Sequence, residues 1–220
     1  HGFISSKEFR LISQAKEAVE LGFDSDESTL AIYPFEFSFK ARYELSDNGI
    51  ECKETVTNKG NDVMPFMFGW HPGFALPTKN GEKIGSYEIF FDDGLDKVVW
   101  IPLQHGAFAR VHGVDYALTN GAYPLNEEEI YKNDTMIFKG CPCSATLRAP
   151  SYPYSLSLKW SQNTPCLCIW KWPSSEAKYI CIEPWHGCAA VDDEDGAFES
   201  KRHCMILAPN EVKNLSYTVT

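Results

Sequence analysis

The sequence predicts an all-β protein, read as a single β-sandwich domain over residues 1–220. Three observations carry that reading. Apolar and polar residues alternate along many short segments, turns rich in Gly, Asn and Asp separate those segments, and no stretch keeps a helical period over three turns.

The clearest alternation runs from Phe35 to Leu45. Phe35, Phe37, Phe39, Ala41, Tyr43 and Leu45 fall on one face, and Glu36, Ser38, Lys40, Arg42 and Glu44 on the other. Asp47-Asn48-Gly49 follows, a turn because Asn and Gly tolerate positive φ, and a second strand from Ile50 to about Thr57 completes a hairpin. Tyr87–Phe91 and Lys97–Ile101 read as short strands, as does the segment whose Tyr154, Leu156, Leu158 and Trp160 share a face. Cys166–Trp172 and Tyr179–Ile182 are apolar on both sides, as central strands are. Asn126–Tyr131 is the one segment that suits a short helix.

A balance of 44% hydrophobic and 23% charged residues is that of an ordinary globular chain, long enough at 220 residues to bury a core without staples. The net charge of −10, with no basic stripe among the aromatics, argues against nucleic-acid binding. No run of about 18 apolar residues suggests a membrane span, and no secretory leader is visible. Cys141 and Cys143 stand two apart, as do Cys166 and Cys168, a spacing that places side chains on one face of a strand and that fits no zinc motif. The eight cysteines therefore read as reduced, small apolar residues, which favours the cytoplasm.

Three places depart from sandwich grammar. In Phe68-Gly69-Trp70-His71-Pro72-Gly73-Phe74 an imidazole lies among aromatic rings, with a proline that holds His71 extended. His71 reads equally as a titrating group or as a structural histidine satisfied by backbone. In Tyr179-Ile180-Cys181-Ile182-Glu183-Pro184-Trp185 a carboxylate follows an apolar strand, with Pro184 and Trp185 expected to end the pairing. Glu183 there is either catalytic or salt-bridged, because an unpaired buried charge is costly. Asp134, just ahead of Thr135-Met136-Ile137-Phe138, reads alone as a turn cap. His105, His112 and His203 read as loop or surface residues, and His186 as an exposed loop residue that could orient Glu183. Asp192-Asp193-Glu194-Asp195-Gly196 lacks the ligand spacing of an EF-hand and reads as a solvated acidic turn.

Together these stretches resemble the aldose 1-epimerase family, in particular its LacX-like branch. His1-Gly2-Phe3 is similar to the family's H-G-F, Trp70-His71-Pro72-Gly73-Phe74 to W-H-P-Y-F, Asn133-Asp134-Thr135-Met136-Ile137-Phe138 to N-D-A-L-I-F, and Cys181-Ile182-Glu183-Pro184-Trp185 to C-I-E-P-W. The resemblance runs along nearly the whole chain. It implies a β-supersandwich, galactose mutarotase-like, that interconverts the α and β anomers of a free sugar. Glu183 would be the general base and His71 the general acid, with His1, Asp134, Trp70 and Trp185 at the sugar. No metal or other cofactor is implied.

Two departures stand out. Gly73 takes the place of a tyrosine, which would widen the site, and Ile4-Ser5 follow His1-Gly2-Phe3 where the family has Ala-Arg. Family members also carry strands ahead of H-G-F, with an arginine that holds the sugar, so the chain is expected to lack those N-terminal strands. Arg10, Arg42, Arg110 and Arg148 are scattered along the sequence, which favours a neutral aldohexose over a phosphosugar. The competing reading is a carbohydrate-binding domain of the same fold without catalysis.

Overall fold

The structure is a computed structural model that describes residues 2–76, 83–104, 108–109, 112–150, 152–174, 177–191 and 193–220. His1, His105, Arg110 and Asp192 lie outside the described residues. The chain divides into two compact units, one of residues 1–66 with 205–220 and one of residues 67–204.

The first unit is an antiparallel meander. Arg10–Gln14 pairs with Ala18–Asp24, that strand with Phe37–Ser46, and Phe37–Ser46 with Gly49–Asn58, on which Val212–Val219 is laid. The expected hairpin is present, with Ser46 opposite Gly49 across the Asp47-Asn48 turn. Burial follows only part of the predicted stripe. Phe37, Phe39 and Ala41 are buried, whereas Tyr43 and Leu45 are exposed at the far end of the strand. Phe23 and Phe37 pack beside Phe3, Phe9, Tyr33 and Phe39 in a cluster of tilted and edge-on rings. A short second ladder joins Met64–Phe66 to Met205–Leu207. Asn58, 1% exposed, ties that ladder down: its amide donates to the carbonyls of Asp62 and Leu207, and its oxygen accepts from Gly60.

The second unit holds two sheets. The smaller runs Leu156–Trp160, Ser144–Arg148, Glu88–Phe90, Ala122–Pro124. The larger runs Val114–Ala117, Lys97–Ile101, Thr135–Lys139, Cys166–Trp170, Tyr179–His186. Two short strands, Phe68–Gly69 and Gly73–Ala75, share its last position end to end. The sheets meet through aromatic side chains: Tyr123 of the smaller packs 5.1 Å from Phe138 and 5.7 Å from Tyr116 of the larger. Ile137, on the opposite face from Phe138, belongs with Ile101, Cys166, Cys168, Ala109 and Val191 to a second apolar cluster. Cys166 and Cys168 thus share a face as small apolar side chains, and no disulfide joins the eight cysteines. Cys141 and Cys143 lie outside the strands.

The predicted helix is Glu127–Asn133, with the Asn126 side chain accepting from the Glu129 N–H as its cap. Among the described residues no helix is long and apolar enough to cross a membrane.

Candidate active site

Contrary to the expectation from sequence, Pro184 and Trp185 do not end the pairing; the strand continues from Tyr179 to His186. The reason lies in which edge each residue presents. The N–H of Ile182 points at the carbonyl of Pro72, 3.4 Å away, so residues of the same parity face residues 70–72, where the chain crosses between the two short strands. Pro184 has no N–H to offer on that edge, so the missing donor falls on the irregular segment and not on the ladder to Cys166–Trp170, while its carbonyl accepts from Trp70 at 3.2 Å. The proline sits where a proline is harmless.

The same alternation sets the side chains. Cys181, Glu183 and Trp185 share one face of the strand, and Ile180, Ile182 and Pro184 are buried on the other. Cys181 is level with Gly73 and Trp185 with Gly69, so the unbroken register brings Glu183 level with His71. The contact is made: His71 Nδ1 lies 3.3 Å from Glu183 Oε1. On the other side Glu183 faces Cys168, and Cys181 faces Trp170.

Gly69 is required by its partner. A Cβ there would fall well inside van der Waals contact of the Trp185 indole, which lies over the bare backbone. Gly69→Ala is expected to destabilise the protein by about 1–3 kcal/mol, because the ring is fixed between the strand and the apolar cluster. A denaturant titration checks this, and an unchanged midpoint would show that the indole is free to move.

The two central groups sit in contrasting surroundings. The Glu183 side chain is 1% exposed and that of His71 35%. Burial pushes the Glu183 carboxyl up to about 8 from its ordinary value of 4.5. The Trp185 indole pulls the other way, yet among the described residues neither carboxylate oxygen receives a hydrogen bond of regular geometry. A carboxyl poised near neutrality beside a reachable imidazole is suited to moving protons between two oxygens of a bound molecule.

The other predicted residues fall as follows. Trp185 stands on the same face as Glu183 and is half-buried. Trp70 packs edge-on against Phe68 at 5.1 Å, with its indole nitrogen buried. Asp134 is exposed and holds a positive φ of 59° at the end of the helix. It immediately precedes Thr135, which is paired with Trp170. His186 is buried rather than exposed, within 3.1 Å of the Thr164 hydroxyl, because the strand carries it into the sheet.

Four residues escaped sequence reasoning. The Trp170 ring stands edge-on to His71 at 5.7 Å, with Tyr179 at 6.4 Å and Trp172 at 6.1 Å from it. The signal was Trp170 and Trp172 at period two, where a central strand runs out to the surface. Buried Lys171 joins the helix to this wall: its ammonium donates to Tyr131 Oη at 2.6 Å and lies 3.2 Å from Glu127.

Comparison with known proteins adds an independent line. The aldose 1-epimerase family model matches residues 1–220. Protein LacX, chromosomal, of Lactococcus lactis subsp. lactis is 23% identical over 222 residues, spanning 100% of this chain and 74% of that protein. The structure of a galactose mutarotase related enzyme from Lactobacillus acidophilus superposes with a TM-score of 0.90 at 28% identity, covering 100% of this chain and 72% of its own. A galactose mutarotase-like protein from Lactobacillus casei ATCC 334 gives a TM-score of 0.82 at 23% identity, over 96% of this chain and 72% of its own. The all-β fold is therefore the galactose mutarotase-like one.

Proposed function

As the chain belongs to the aldose 1-epimerase family, we propose that it is a mutarotase that interconverts the α and β anomers of a free aldohexose. The observation that carries this reading is the 3.3 Å contact between His71 and a buried Glu183 whose carboxyl is held near neutrality.

In the reaction Glu183 takes the proton of the anomeric hydroxyl while His71 gives a proton to the ring oxygen. The C1–O5 bond breaks and C1 becomes an aldehyde. Rotation about C1–C2 presents the other carbonyl face. On reclosure O5 attacks C1, His71 recovers its proton from O5, and Glu183 returns one to the new hydroxyl. Protons and electrons balance without a further reactant, and each positioned group contributes typically about 10²–10⁴-fold. Trp170 and Tyr179, grouped beside His71, would pack against the C–H side of a pyranose, and Trp185 and Asp134 match the family's sugar-site motifs.

A neutral sugar is favoured over a phosphosugar. Arg10 is engaged by Asp24, Arg42 by Glu44 and Arg148 by Glu88, so these three are committed to carboxylates.

The test is polarimetry of freshly dissolved α-D-glucose and α-D-galactose. The protein is expected to speed the approach to equilibrium rotation in proportion to its concentration. A folded sample that is stabilised by sugar yet leaves the rate at that of buffer would instead mark a binding domain.

A further inference from the structure

We propose that His71, Cys181 and Glu183 form a binding site for a thiophilic divalent cation of the zinc type, which arrests the sugar reaction by occupying its acid and its base. The inhibitory half rests on the roles given to His71 and Glu183 above; the binding half rests on geometry alone. One ligand atom from each of the three side chains lies within 4.8 Å of the others. The His71 Nδ1 to Glu183 Oε1 separation is 3.3 Å. A tetrahedral zinc with bonds of about 2.0–2.1 Å to N and O and about 2.3 Å to S has ligand–ligand edges of roughly 3.3–3.7 Å. The N–O edge is thus already in place, and the edges to sulfur close by little more than about 1 Å through side-chain rotation.

The scaffold is rigid where it needs to be. Cys181 and Glu183 stand two apart on one face of a strand paired on both sides, and His71 reaches them from the neighbouring segment. Both strand residues are buried, at 3% and 1% exposure, and the Glu183 oxygens receive no well-formed hydrogen bond. A dication would compensate both negative groups at once, displacing their protons as it binds. Three protein ligands, with His71 open to solvent, leave a fourth position for water or a sugar hydroxyl. The N, S and O donor set selects zinc, cobalt or cadmium over magnesium or calcium, which take oxygen.

The experiment titrates the chelator-stripped full chain with Co²⁺, reading the visible bands of tetrahedral cobalt and the ultraviolet thiolate charge-transfer band, then displaces it with Zn²⁺. The same titration is run on Cys181→Ala and His71→Ala, with circular dichroism confirming the fold of each. One Co²⁺ per chain with a thiolate band is expected, lost in Cys181→Ala, and with affinity lowered at least about tenfold in His71→Ala. His71 is partly exposed, so its variant keeps the test decisive if Cys181→Ala does not fold. Polarimetry of the unsubstituted protein should show zinc slowing mutarotation at the concentrations that displace cobalt. A thiolate band that survives in Cys181→Ala overturns the site and points to another thiol, such as the hydrogen-bonded pair Cys166 and Cys188. Metal binding with unchanged turnover overturns the inhibitory half. A metal-free protein that binds cobalt as described but never accelerates mutarotation leaves the site standing and defeats the mutarotase reading instead.

Discussion

Glu183→Gln is expected to lower kcat/KM for mutarotation by about 10²–10⁴-fold, with the fold retained. The amide keeps the volume and shape of the carboxyl and cannot take a proton from the anomeric hydroxyl. His71→Asn is expected to do likewise by removing the donor to the ring oxygen. In the proposed mechanism the two groups transfer protons in one concerted exchange, so the double variant should fall little below the worse single one, rather than multiply both losses. Polarimetry with both sugars gives all three numbers. A Gln variant that turns over at the rate of the parent would assign the base elsewhere. Independent, multiplicative losses would mean that the two residues do not share a step.

The sandwich strands were legible because burial on one face imposes period two, and Lys97–Ile101 falls where the pattern put it. The pattern overreached where a strand runs past its core: Tyr43 and Leu45 continue the apolar register of Phe37–Ser46 with nothing of comparable depth to bury them. Pro184 misled for a different reason. A proline breaks a regular ladder only if its missing N–H faces that ladder, and parity relative to the partner strands cannot be read from one segment. His71 and Glu183 were legible as oddities of composition and through the family motifs around them. Their juxtaposition was not, since it depends on the shared register of Gly69–Trp185 and Gly73–Cys181 across more than a hundred residues of sequence. Trp170, Tyr179 and Cys181 looked like ordinary strand residues for the same reason. Only pairing brings them to the end of the sheet where His71 sits.

Glu183 is expected to contribute a fall in stability as the pH rises from about 4.5 to about 8, and the substitution Glu183→Gln should abolish that contribution. Burial raises the folded carboxyl to about 8 from 4.5, so the folded state holds this proton more tightly than the unfolded chain does. The contribution is fully present below 4.5 and is lost as the pH passes through about 8, at a slope near 1.4 kcal/mol per pH unit between them. Asp24, Asp26, His203 and Cys188 are shifted the other way, but they are common to both proteins and cancel in the difference. Denaturant midpoints of parent and variant at pH steps from about 5 to about 9 isolate Glu183, and the variant should be the more stable protein at the alkaline end. Parallel curves would mean that water or a neighbouring charge already relieves the buried carboxylate. In the proposed mechanism only the deprotonated carboxylate is a base, so this ionisation sets the limb of the parent's kcat/KM profile that rises with pH. A rising limb of activity and a loss of stability over one pH interval, both removed by one amide, would tie the chemistry to the burial of this single side chain.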